Sequence, residues 1–174
     1  MFDFLSKGKV LIGLTAIYLI FAAGLFPVYA QKMNKAAEDQ NPAVVKADLK
    51  PLDLRTKYTK SEVDNFFAAL GPEGQVHYHF IESKIDMAYP IVYTLFFMSL
   101  LAFLLVKNKW GNGNLKLLLL LPLLAAIPDF FENFNILKML ASGPSETLAV
   151  KGSLYSSIKW GGVLLNLGLI LFLL

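Results

Sequence analysis

Residues 87–106 read MAYPIVYTLFFMSLLAFLLV, twenty positions without one charged side chain. A helix rises about 1.5 Å per residue and a bilayer's hydrocarbon core is about 30 Å thick, so such a run is long enough to span it. Three more segments are long and apolar enough: about Val10 to Ala30, Leu115 to Leu137, and Leu154 to Leu174, the last interrupted by Lys159 and Asn166. The expected fold is an all-α integral membrane protein, a four-transmembrane-helix bundle formed by residues 1–174 as one domain.

Composition agrees. The 174 residues are 56% hydrophobic and 17% charged, against about 25% charged in ordinary soluble domains. The net charge of +3 comes from scattered lysines that flank apolar runs, which argues against nucleic-acid binding. No cysteine is present, which excludes disulfides, thiolate metal sites, thiol nucleophiles and dithiol redox chemistry.

Lysine and arginine counts in the short loops set the orientation. Lys7 and Lys9 precede the first span, and Lys107, Lys109 and Lys116 lie around the connection between spans two and three with no acid among them. Residues 31–86 hold eight basic and nine acidic side chains, close to neutral. The expected location is a plasma (inner) membrane, crossed several times, with both termini cytoplasmic and 31–86 extracytoplasmic. Lys7, Lys9, the apolar run and Val28-Tyr29-Ala30 also fit a signal peptide; we read a retained helix. Asn112-Gly113 suggests a tight turn that makes spans two and three antiparallel neighbours.

In the extracytoplasmic segment, residues 31–59 read as irregular, broken by Pro42 and Pro51. Thr59 and Glu62 have the spacing of a capping box, Val63, Phe66, Phe67 and Leu70 follow at helical spacing, and Gly71 supplies a stop. This predicts an amphipathic lid helix, on the membrane surface or capping the bundle. Pro72 fits the first turn of the next helix, which extends outward from the second span, starting near Glu73 and kinked at Pro90. His79, Glu82, Asp86, Tyr89, Tyr93 and Phe96 then share one face.

The informative polar cluster is in the third span. Asp129, Glu132 and Asn133 stand at i, i+3 and i+4, and an ionised carboxylate facing lipid is costly, so they should face the bundle interior. Glu132 lies five residues inside the end of the third span, and Lys159 five residues inside the start of the fourth. At helical rise both are about 7–8 Å deep, which predicts that Lys159 pairs with Glu132 or Asp129. Tyr155, Lys159, Gly162 and Asn166 form a facing polar and small stripe.

Function follows from that cluster as an expectation: binding of a membrane lipid or other amphiphilic small molecule in an outer-leaflet pocket, with Asp86, Tyr89, Tyr93, Asp129, Glu132, Asn133 and Lys159 as ligand-binding residues. Two alternatives stay open. One is a membrane-embedded enzyme with Asp129 and Glu132 as its acid–base pair; the other is an accessory subunit docking a larger membrane protein, or a homo-oligomer. A register-fixing ion-pair network without a ligand would explain the same residues. No cofactor is expected. Nor is a metal: His79, Glu82 and Asp86 are possible ligands, but solvated His/Glu faces are common. The plan is similar to that of small sterol- or quinone-handling membrane proteins, yet no motif of theirs falls on these residues.

Overall fold

The computed structural model describes residues 1–44, 49–111 and 113–174. Among these residues the regular structure is all helical, without strands, and four helices are long and apolar enough to cross a membrane, as in a multi-pass membrane protein. A short helix, α1 (Phe2–Leu5), precedes the four long ones: α2 (Gly8–Gln40), α3 (Lys60–Lys107), α4 (Gly113–Ser142) and α5 (Glu146–Leu173). We call the end bearing residues 31–86 the loop end, and the end bearing the α3–α4 connection the turn end. Asn112, on which the expected tight turn partly rests, lies outside the described residues.

The first helix does not stop at the span. It runs on to Gln40, where residues 31–40 were expected to be irregular. No proline falls between Gln31 and Asn41, and Met33, Ala36 and Ala37 recur at i, i+3 and i+4, all buried. Met33 and Ala37 pack with Val63, Phe66, Phe67 and Leu70 in a loop-end core that also takes in Leu49, Leu52, Tyr58, Tyr78, Ile136 and Met139. Thr59 and Glu62 make the capping box: Glu62 N–H donates to Thr59 Oγ1 (3.3 Å), and Thr59 N–H to Glu62 Oε2 (2.7 Å). Gly71, at φ 61°, breaks α3 and lets the 60–70 stretch fold back as part of this core. A second core at the turn end contains Leu5, Met98, Leu101, Leu104, Leu105, Leu119 and Ile170.

Prolines shape the spans. Wide, π-type turns at Ile20–Leu25 and Ile81–Ile85 precede Pro27 and Pro90, as expected where the regular hydrogen-bond ladder is disturbed. Pro90 cannot donate to the Asp86 carbonyl four residues back; the Asn133 side-chain amide donates there instead (3.0 Å). The third span is not one α-helix from Leu115. Gly113–Leu120 is a 3₁₀ segment, and regular helix runs only from Leu123 to Ser142, because Pro122 withholds a backbone donor. Asn166 repairs that junction, donating from Nδ2 to the Leu121 carbonyl (3.2 Å). The fourth helix begins at Glu146, eight residues ahead of the expected start, capped by Ser145 accepting from Leu148 N–H (3.3 Å).

Candidate functional site

Between the two cores lies a thin layer built around Tyr93, Ala125 and Ala126, and beside it a cavity of about 480 Å³. Helix α2 contributes Tyr18, Ala22, Phe26, Pro27 and Ala30; α3 contributes Ile81, Asp86, Tyr89, Tyr93 and Phe97. Asp129 of α4 and Lys159, Trp160 and Val163 of α5 complete the walls, and the turn Pro51–Leu54 covers one side. Each wide turn lends a residue, Ala22 and Ile81. Beside the cavity, α2 meets α3 through rings: Tyr18 stacks on Phe96 (4.6 Å between centroids), and Phe26 meets Tyr89 edge-on (4.9 Å). From Gly8 to Leu25 no residue of α2 is fully buried.

The polar end of the cavity is organised by Lys159, only 6% exposed. Its ammonium lies 2.7 Å from Glu132 Oε2 and 3.3 Å from Asp129 Oδ1, and donates to the Asp53 carbonyl (2.8 Å). Depth matching named both carboxylates, and the lysine sits between them. Tyr93 donates its hydroxyl to the other Asp129 oxygen (3.0 Å), and Trp160 Nε1 joins Lys159 at the Asp53 carbonyl (3.3 Å). Gly162 brings α5 against the α4 backbone: a Cβ there would lie 2.8 Å from Ala125 N.

Of the seven residues expected at the site, Asp86, Tyr89, Tyr93, Asp129 and Lys159 line the cavity. Glu132 and Asn133 stand behind this wall, wholly buried, one holding Lys159 and the other the Asp86 carbonyl. Of the expected acid–base pair, therefore, Asp129 alone borders the cavity. His79 does not share the face of Glu82 and Asp86: the wide turn at Ile81–Ile85 shifts the helical register, leaving His79 exposed and Glu82 buried. Among the described residues no three His, Asp or Glu side chains gather as a metal-binding set.

Sequence reasoning missed the turn at residues 51–58. Pro51, Asp53 and Leu54 line the cavity while Leu52 and Tyr58 are buried. Helix α5 holds this turn by its backbone: Ser153 Oγ accepts from Tyr58 N–H (3.1 Å), Ser157 Oγ donates to the Thr56 carbonyl (2.9 Å), and Ser156 Oγ donates to that of Arg55. The available signal was Ser153, Ser156, Ser157 and Lys159, too many donors on one end of a span to leave unpaired. Burial raises the Asp53 carboxyl above its ordinary range, against the pull of Lys159. Burial and the nearby Glu132 likewise raise the Tyr58 hydroxyl.

No protein-family model, curated protein or solved structure matches this chain. The site's chemistry therefore rests on its own geometry: an aromatic and aliphatic chamber that ends in one lysine ringed by carboxyls.

Proposed function

We propose that the chain is a membrane-embedded binding protein whose cavity receives a lipid-like or other amphiphilic molecule. In this reading both termini are cytoplasmic, residues 31–86 lie outside a plasma (inner) membrane, and the cavity belongs to the outer leaflet. The 60–70 helix and the 51–58 turn form the lid. The observation that carries the reading is the two-ended lining. Tyr18, Ala22, Phe26, Phe97 and Val163 offer an apolar wall for a tail, while Asp53, Asp86, Asp129 and Lys159 gather at the opposite chemical extreme. Few convergent polar groups in an otherwise apolar cavity of about 300–1,000 Å³ is how small-molecule sites are generally built, and 480 Å³ is within that range. Asp86, Tyr89, Tyr93, Asp129 and Lys159 would touch the ligand; Glu132 and Asn133 would position Lys159 and Asp86.

Native mass spectrometry of protein released gently from membranes tests this, with Ala22→Phe as a control that fills the chamber. A defined adduct of lipid mass on the wild type, absent from folded Ala22→Phe, is expected. A bare chain, or an adduct unaffected by the filled chamber, would reject the reading.

A further inference from the structure

The donors and acceptors around the cavity can be counted. Lysine carries three N–H donors, and Lys159 already faces three acceptors: Glu132 Oε2, Asp129 Oδ1 and the Asp53 carbonyl. The Trp160 N–H goes to that same carbonyl, and the Tyr93 hydroxyl to Asp129. The ammonium, indole and Tyr93 donors of the polar wall are thus engaged, which leaves the Tyr18 and Tyr89 hydroxyls as its neutral donors. Its other free groups are acceptors. Asp86 is 3% exposed and lines the cavity, and among the described residues its Oδ2 has no hydrogen-bond partner. A buried carboxyl oxygen without a partner is costly, about 1–3 kcal/mol or more if charged, so such groups are normally matched by something. Charge leads to the same place: Asp53, Asp86 and Asp129 line the cavity with Glu132 behind them, and Lys159 is the one cation among the lining residues.

From this we infer that the head group recognised here is a primary ammonium, carried on an apolar tail, seated on the Asp86 carboxyl beside Asp129. The inference rests on the amphiphile reading above and narrows its ligand class. A phosphate or carboxylate head would bring further acceptors to a wall whose lysine is saturated, and further negative charge to a carboxyl cluster. An ammonium brings three donors and the missing positive charge. The rings of Tyr89 and Phe26 beside Asp86 add faces that favour a cation.

The test is a matched-tail comparison on the full chain in a neutral glycoside detergent, using decylammonium, decanol and decyl phosphate. Binding is read by native mass spectrometry and by quenching of Trp160 with tail-brominated versions, in a Trp110→Phe background that leaves one tryptophan. Decylammonium is expected to bind at least about tenfold more tightly than either competitor, the difference of one charge-assisted hydrogen bond. Asp86→Asn is expected to remove that preference, while Asp39→Asn, on the exposed end of α2, leaves it unchanged. The wild-type ranking stands as evidence even if Asp86→Asn does not fold. Equal or tighter binding of decanol or decyl phosphate overturns the ammonium assignment and leaves the amphiphile cavity standing. Binding of none of the three overturns both.

Discussion

At the scale of single residues, the buried ion cluster decides how the bundle tolerates change. Lys159 is shared between Glu132 and Asp129 inside the protein. Removing it leaves two buried carboxylates without a counter-charge, a loss of about 3–5 kcal/mol for a broken buried pair. Lys159→Met should accordingly show a large drop in thermal stability in detergent, and adding Glu132→Gln should restore part of it; strictly additive losses would mean the groups are not coupled. Asn133 offers a finer test. Its amide serves the carbonyl that Pro90 leaves unpaired, so Asn133→Ala should cost about 1–3 kcal/mol. Pro90→Ala returns a backbone N–H to Asp86, and the Asn133→Ala loss should then shrink in a double-mutant cycle. Asp53 adds a pH dependence. Its carboxyl is raised above 3.8, by burial first, with Lys159 opposing. A raised carboxyl contributes stability that is present below the ordinary value and lost as pH rises through the higher folded-state value. Relative to Asp53→Asn, the wild type should weaken as pH climbs above 3.8 and then level off; a pH-independent difference between the two melting curves would count against this.

At the scale of elements, glycine placement separates packing from propensity. Gly162 sits where a Cβ would meet Leu124 and Ala125 backbone at 2.8–3.0 Å, whereas Gly161 and Gly168 of the same helix have nothing within 4 Å. Gly162→Ala should force α4 and α5 apart and cost roughly 1–3 kcal/mol. Gly161→Ala and Gly168→Ala should be neutral or gain up to about 1 kcal/mol from helix propensity; similar effects at all three sites, in unfolding measured side by side, would show that close approach is not what Gly162 provides. The same contrast explains what the sequence made legible. Spans were readable because length and apolarity are properties of a run. The inward face of α4 was readable because Asp129, Glu132 and Asn133 repeat at helical spacing and charge is costly in lipid. The 3₁₀ start of α4 was not, since a continuous leucine run masks what Pro122 does to the ladder. Nor was the turn at 51–58, whose place depends on hydroxyls about a hundred residues away on α5. The extension of α2 to Gln40 was present in the spacing of Met33, Ala36 and Ala37, but polar neighbours obscured a buried stripe only three residues strong.

For the whole molecule, orientation governs what the cavity can sample. Its polar end lies under the 51–58 turn at the loop end, so the sidedness of that end decides which leaflet and which aqueous compartment supply the ligand. The lysines at 7, 9, 107, 109 and 116 cluster at the turn end, while residues 31–86 are near neutral, an asymmetry that, in the proposed reading, keeps the turn end cytoplasmic. The chain contains no cysteine, so each introduced thiol is unique and the wild type is a blank. Asp39, Lys57 and Lys107 are exposed and belong to the two opposite ends. In intact cells a membrane-impermeant maleimide should label Asp39→Cys and Lys57→Cys, and should reach Lys107→Cys only after permeabilisation. Lysines also anchor the turn end by charge, so replacing Lys107, Lys109 and Lys116 together with glutamine should raise the fraction of chains in which Asp39→Cys is protected. The reverse labelling pattern in the otherwise unaltered chain would move the cavity to the cytoplasmic leaflet. The carboxyl-rich wall would keep its chemistry, but the amphiphiles able to reach it would be those of the inner face.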